Sequence, residues 1–170
     1  STAMLVLGDA LAIALLEARK FTSDDFAKLH PAGALGRKLT YSVRDLMAHG
    51  DGIPVVADTA TLTDAMLEMS RKRFGATAVV SNERVLGIIT DGDIRRFFQR
   101  EPPLDPRTTT AESVMSREPR TVTADTLAAD ALMLMEHRSP KVLQLLVVDD
   151  AGRLEGIIHM HDIVRTGIRA

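Results

Sequence analysis

Residues 87–93 read Gly-Ile-Ile-Thr-Asp-Gly-Asp, and residues 156–162 read Gly-Ile-Ile-His-Met-His-Asp. In both stretches the β-branched pair predicts a buried strand, and the polar residue with Asp three positions later predicts that a helix begins at once. The stretches are 69 positions apart, 87 against 156 and 93 against 162. A motif repeated at one spacing indicates an internal duplication, so the fold should consist of two similar units.

The same order of patterns surrounds each copy of the motif. Amphipathic segments begin at Leu62 and at Leu127, with apolar residues spaced as on the buried face of a helix. Apolar strands follow over residues 76–80 and 142–148, and a polar turn leads from each into the motif. Each unit should therefore run strand, helix, strand, strand, helix, with its last two strands as an antiparallel hairpin. The predicted fold class is α/β of the α+β type, with two pseudo-symmetric units that each pack helices on a small sheet.

The domain boundaries follow from the repeat. Residues 101–110 contain three prolines and predict a linker between a first unit over residues 41–100 and a second over 111–170. One unit of roughly 60 residues has a marginal core, so the two should cover each other's open sheet faces. Residues 5–19 form an apolar helical pattern that is typical of burial in a larger body. We expect residues 1–40 to be the end of another domain and its connector.

Composition excludes several classes of function. The formal net charge is -2 and aromatic residues make up 4%, which disfavours nucleic acid as a partner. There is no cysteine, so disulfides and thiolate metal sites are excluded. No apolar run reaches the roughly 20 residues that span a bilayer, and no signal peptide precedes the repeats. These features predict a soluble cytoplasmic protein with no membrane partner.

The repeat resembles the CBS pair, or Bateman module, over about three quarters of the chain. The hallmark of that family is a strand ending in Gly-x-hydrophobic-Thr/Ser-x-x-Asp before a helix. Gly87 to Asp93 match it fully, whereas in the second copy His159 replaces the hydroxyl residue. The resemblance implies two CBS repeats with a cleft near each Asp-bearing helix, in which a nucleotide-like ligand binds and regulates an attached domain.

The start of the chain resembles the end of a sugar isomerase (SIS) domain. Residues 30–37 read His-Pro-Ala-Gly-Ala-Leu-Gly-Arg and are similar to the arabinose-5-phosphate isomerase family, in which SIS precedes two CBS repeats. That family usually has His-Pro-Gly-Gly, so Ala32 departs from its pattern. The resemblance implies interconversion of ribulose 5-phosphate and arabinose 5-phosphate for the synthesis of Kdo, with His30 as one catalytic residue. Its catalytic Lys and carboxylate partners lie upstream of this sequence, so we expect this chain alone to be inactive.

The ligand site should draw on both copies of the motif. In such clefts Asp can accept hydrogen bonds from ribose hydroxyls, while Thr and helix amides can meet a phosphate. The candidate ligand-binding residues are Thr90, Asp91, Asp93, Arg95, Arg96, His159, His161 and Asp162. Lys141 is a further cation that could reach a ligand anion.

Structural interpretations compete with these assignments. Thr90 and Asp93 have the spacing of a helix capping box, and the same spacing at Thr61 and Asp64 precedes a helix for which no ligand is expected. The basic run of residues 71–73 fits a helix C-terminus, where cations complement the dipole. Arg95 and Arg96 could likewise form a solvated helix face.

His159, His161 and Asp162 could chelate Zn²⁺, be exposed, or line a polar pocket that meets an anion. Alternate residues on a strand point to opposite faces and no fourth ligand is evident, so we predict no metal. If His159 meets an anion, binding should strengthen as the pH falls through its titration range.

The resemblance leaves two ligands open, an adenine nucleotide and the cytidine-activated sugar CMP-Kdo, and we predict no cofactor. It also implies a homo-oligomer, a dimer through the CBS repeats and a tetramer in the intact parent. A purely structural role in assembly, with no ligand, is the alternative function.

Overall fold

The computed structural model of the chain describes residues 2–22, 25, 40–137 and 139–169. The chain separates into two compact units, Ser1–Thr40 and Tyr41–Ala170.

Helix α1 of the first unit covers Thr2–Ala18, where the sequence predicts a helix over residues 5–19. None of its residues is buried, and its exposed large apolar side chains are Met4, Leu5, Val6, Leu7, Leu11, Ile13, Leu15 and Leu16. Within the described ranges, no helix has both the length and the apolar character needed to cross a membrane.

The second unit begins with two short 3-10 helices, Val43–Asp45 and Gly50–Gly52, and continues with a strand, a helix, a hairpin and a helix. These elements are β1 (Val55–Ala57), α2 (Leu62–Lys72), β2 (Ala76–Ser81), β3 (Arg84–Thr90) and α3 (Asp91–Phe98). A short helix then leads into the second copy of the same order. Its elements are α4 (Ala111–Val114), β4 (Ser116–Arg117), β5 (Thr121–Val122), α5 (Ala128–His137), β6 (Gln144–Val148), β7 (Leu154–His159) and α6 (Met160–Arg165). The predicted order of strand, helix, strand, strand, helix is confirmed in both copies.

The two sheets have the same pairing. β2 and β3 are antiparallel, as are β6 and β7, which confirms the predicted hairpins. β1 runs parallel to β2, and β5 runs parallel to β6. Both hairpins are irregular at one place, between Val79 and Val80 in the first and between Val147 and Val148 in the second. The duplication therefore extends to local backbone detail.

The segment that opens each copy pairs with the sheet of the other copy. β4 lies at the edge of the first sheet, where Ser116 pairs with Ile88. In the same way Ala48 pairs with Ile157 of β7, with N···O distances of 2.8 and 3.1 Å. Each packed half therefore contains the sheet of one sequence repeat and the opening segment of the other repeat.

The hydrophobic cores show the same exchange, in which the opening segment of each copy packs on the sheet of the other. Val43 is fully buried in the core of the second sheet, and Ala111, Val114 and Met115 are buried in that of the first. A third cluster of buried residues joins the two sheets, with Ala76, Ala78, Leu146 and Ile157. Since each half completes the other, residues 41–170 form a single packed body.

Candidate functional site

Two clefts in the second unit contain the ends of the repeated motif. The first cleft has a volume of about 540 Å³, and its lining includes Thr90, Arg96, Ser116, Arg117, Arg120 and Lys141. The second cleft has a volume of about 360 Å³ and is lined by Lys72, Arg73, Phe74, His159, His161, Asp162 and Arg165.

The two clefts occupy equivalent places in the duplicated fold. Thr90 and Arg96 of the first cleft correspond to residues 159 and 165 of the second, each 69 positions later. In strands β2 and β6 the offset is 68, because Ala76 and Gln144 pair with residues 90 and 159 respectively. Lys141 of the first cleft therefore corresponds to Arg73 of the second. A cation and a motif residue thus recur at the same positions in both clefts.

Thr90 and Asp93 form a capping box at the start of α3. The Thr90 backbone N–H and hydroxyl donate to Oδ2 of Asp93 at 2.8 and 2.6 Å, and the Asp93 N–H donates to the Thr90 hydroxyl oxygen at 3.4 Å. Thr61 and Asp64 form the same box at the start of α2. The spacing alone therefore encodes a helix start, as the structural interpretation of the motif expects.

Asp93 differs from Asp64 in its surroundings. It is only 5% exposed, and its Oδ1 accepts hydrogen bonds from the Ser116 hydroxyl at 2.8 Å and from the Arg96 guanidinium. Burial raises the pKa of Asp93, but the hydrogen bonds from Thr90, Ser116 and Arg96 outweigh it and hold the pKa below its usual value. A ligand that used this carboxylate would have to displace a donor of the protein itself.

The other candidates on α3 do not all face the first cleft. Arg96 lines it, whereas Asp91 lines a separate pocket of about 360 Å³ with Met66 and Ile94, and Arg95 is in neither cleft. The structure thus brings Thr90, Asp93 and Arg96 together and separates Asp91 and Arg95 from them.

His159 takes the place of the capping threonine in the second copy. Its Nδ1 accepts a hydrogen bond from the His161 N–H at 3.0 Å, so the ring proton is assigned to Nε2. The ring centroid lies 4.8 Å from that of His161 and 6.1 Å from that of Phe74. Burial lowers the pKa of His159, as does the neighbouring His161, while Asp162 opposes the shift.

The cations of the second cleft have little to neutralise them. Within the described part of the chain, Lys72, Arg73 and Arg165 make no ion pair, and Lys72 donates only to the backbone carbonyl of Asp51. Among the described residues that line this cleft, Asp162 is the single acidic side chain. In the first cleft, by contrast, Arg96 and Arg117 pair with Asp93 and Glu112.

The sequence did not single out several lining residues. The basic run of residues 71–73 fits a helix end, and Arg73 is indeed the left-handed cap that follows α2, with φ 56°. Lys72 and Arg73 nevertheless reach the second cleft. The 68-residue offset between β2 and β6, counted back from Lys141, would have predicted this place for Arg73. Arg117 and Arg120 had no such signal, because they enter the first cleft through the exchanged strand β4 and the segment that follows it.

The structure also bears on the predictions about metal binding and about the catalytic residue. Among the residues that the structure describes, no three His, Cys, Asp or Glu side chains are grouped so as to hold a metal ion. His30, the candidate catalytic residue, lies outside the described residues.

This duplicated fold with its two equivalent clefts defines a module of two packed repeats, and similarity to known proteins places it in a family. The chain belongs to the CBS domain family, whose sequence pattern matches residues 43–100 and 111–168. It is 48% identical over 169 residues to arabinose 5-phosphate isomerase KdsD of Pseudomonas aeruginosa, covering 99% of this chain and 51% of that protein. The chain thus spans about half the length of the curated relatives it matches.

Solved structures share the fold over about three quarters of the chain. CBSX2 in complex with AMP superposes with a TM-score of 0.61 at 23% identity, over 75% of this chain and 96% of that one. The CBS domain of a bacterial CNNM/CorC family Mg²⁺ transporter in complex with ATP gives 0.63 at 21% identity, over 78% and 91%. These similarities confirm the predicted fold class.

Proposed function

We propose that this chain is the regulatory CBS pair of an arabinose 5-phosphate isomerase, and that its clefts sense a nucleotide or a sugar nucleotide. The proposal rests mainly on the second cleft, where three cations that have no carboxylate partner among the described residues line the same volume as His159 and Asp162. Such an arrangement suits a ligand that combines a phosphate with hydroxyl groups.

The activity of the whole parent protein is the second part of the proposal. Similarity to the isomerases covers 99% of this chain and about half of each relative, so the parent would interconvert ribulose 5-phosphate and arabinose 5-phosphate. His30 would belong to the catalytic half, and this chain alone would not turn over substrate. Incubation of the chain with ribulose 5-phosphate should give no arabinose 5-phosphate.

Two ligands suit the clefts. An adenine nucleotide is supported by the AMP and ATP complexes of proteins with the same fold. CMP-Kdo is supported by the resemblance to a family that supplies Kdo synthesis, because an end product can regulate its own pathway. Either ligand would regulate only if it bound two states of the parent protein with different affinity.

Thermal melting against AMP, ADP, ATP, CMP and CMP-Kdo tests the proposal. A ligand at about 100-fold over its Kd adds about 2.7 kcal/mol, which raises the melting temperature by roughly 5 to 10 °C for a chain of this size. Arg165→Ala should reduce the shift, because Arg165 lines the second cleft. Arg71→Ala is the matched control, since Arg71 pairs with Glu68 at 2.6 Å and lines neither cleft. An unchanged melting temperature with every compound would contradict the sensing function.

Assembly is a second candidate function, and exposed apolar residues favour it. Leu67 on α2 is 63% exposed and Met133 on α5 is 50% exposed, and α2 and α5 are the equivalent helices of the two repeats. Burial of these side chains between two copies would give a homodimer. Light scattering of wild type and of the double variant Leu67→Glu, Met133→Glu tests this role, and a wild-type monomer would contradict it.

A further inference from the structure

The second cleft carries an excess of positive charge that the fold does not use. Lys72 and Arg73 at the end of α2 and Arg165 at the end of α6 line a volume of about 360 Å³ together with one carboxylate, that of Asp162. Like charges held together favour an anion between them, and a dianion more than a monoanion.

Protonation of His159 is coupled to the structure of this cleft. Nδ1 of His159 accepts a hydrogen bond from the His161 N–H, and an imidazolium cannot accept that bond. The pKa of His159 is also lowered, first by burial and then by the neighbouring charge of His161. An anion beside the ring would reverse this balance, because it favours the charged form.

The groups that face His159 come from three elements. The end of α2 contributes Lys72, Arg73 and the edge of Phe74, and α6 contributes His161, Asp162 and Arg165. The strand beside β7 contributes Gln144, which is neutral and pairs with His159 in the sheet. One carboxylate therefore faces three permanent cations and two imidazoles.

The first cleft lacks this coupling. Its residue at the equivalent position is Thr90, whose hydroxyl does not titrate at neutral pH. Two of its arginines, Arg96 and Arg117, already pair with carboxylates. Any dependence of binding on proton uptake should therefore come from the second cleft.

We propose that the second cleft is a proton-linked oxyanion site: it binds the phosphate group of the regulatory ligand as a dianion, and His159 takes up a proton as the anion binds. The inference rests on the proposed sensing function and assigns the ligand's most highly charged part to one of the two clefts. Binding to the module would then report pH together with ligand concentration.

Sulfate is the probe of choice, because it stays a dianion across the neutral range whereas phosphate titrates there itself. The affinity of the whole chain for sulfate is measured at pH 8 and pH 6, and long-range ¹H–¹⁵N spectra report the protonation of the histidine rings. The affinity should rise by roughly tenfold from pH 8 to pH 6, and His159 should change from the Nε2–H form to the imidazolium on binding.

His159→Thr is the matched variant, because it restores the residue that caps α3 in the first copy. It should keep the fold and bind sulfate with nearly the same affinity at both pH values. Equal affinity of the wild type at pH 8 and 6, a neutral His159 in the sulfate complex, or a pH dependence that survives in His159→Thr would each overturn the inference.

Failure of the proton linkage can be distinguished from failure of the proposed sensing function. Nucleotide binding that is independent of pH, with pH-independent sulfate binding, would overturn the proton linkage alone. A pH-dependent sulfate site in a chain that binds no nucleotide would overturn the sensing function and leave a proton-linked anion site.

Discussion

A Cβ atom placed on Gly87 would lie 2.6 Å from Sδ of Met115 and 2.7 Å from the carbonyl oxygen of Ser116. The second copy has the same relationship, since a Cβ on Gly156 would lie 2.7 Å from Sδ of Met47. The glycine of each motif therefore lies where the opening segment of the other copy packs closely against the sheet. Because glycine has no side chain, the opening segment of each copy can reach the sheet of the other.

Gly87→Ala should destabilise the module by roughly 1–3 kcal/mol, because a backbone carbonyl and a buried methionine both have to move. Chemical denaturation measures the change. Gly52→Ala is the control, because its added Cβ would make one ordinary contact, 3.7 Å from Cβ of Ala48. Equal stability of the two variants would mean that the opening segment is not closely packed against Gly87.

Residues 41–170 should unfold in a single transition, although they contain two sequence repeats. Val43 is buried in the core of the second sheet, and Val114 is buried in that of the first, so neither core is complete without the other. Calorimetry should give a calorimetric enthalpy equal to the van't Hoff enthalpy for this part of the chain. Two separate transitions assigned to the two sheets would contradict the exchange of segments.

Asp93→Ala should cost roughly 2–4 kcal/mol of unfolding free energy. It removes a helix cap worth about 1 kcal/mol and hydrogen bonds to a buried carboxylate worth about 1.5–3 kcal/mol. Asp64→Ala removes an equivalent cap from an exposed position and should cost less. Denaturation of both variants checks the difference, and an equal loss would mean that Ser116 and Arg96 add nothing to the capping box.

The stability of the ligand-free chain should fall as the pH is lowered through about 6.5. The pKa of His159 is lower in the folded state than the value of about 6.5 for a free histidine, so the unfolded chain binds a proton first. This contribution is complete above pH 6.5 and is lost towards the folded pKa. Denaturation at pH 8 and pH 5.5 measures it.

His159→Thr should lose this part of the pH dependence, because threonine caps without titrating. His49→Gln is the control, since His49 is exposed and its side chain caps no helix. A wild-type pH dependence in His159→Thr would assign the effect to other groups.

The duplicated motif was sufficient to predict the repeat, the order of its elements and the hairpins. Periodicity identifies which face of a segment is buried, but it does not identify the partner. For that reason the exchange was not predicted: Val43 and Val114 read as the start of their own repeats, yet each is buried in the core of the other half.

The candidate site was predictable where the repeat itself carried the signal. Thr90, Asp93 and His159 lie at helix starts, as their spacing indicated. The difference between the clefts was not predictable, because it depends on which cations already have partners. Asp93 accepts a hydrogen bond from Ser116, which is 23 positions away in sequence and lies beside it because Ser116 belongs to strand β4.

Isothermal titration of the chain with the nucleotide that gives the largest melting shift decides whether the second cleft binds a ligand. We expect saturable heat in the wild type, at least a tenfold weaker affinity in Arg165→Ala and in Asp162→Asn, and wild-type affinity in Arg71→Ala. The first two residues line the second cleft, and Arg71 lines neither. Absence of saturable heat, or the same affinity in all four proteins, would contradict a ligand site in that cleft.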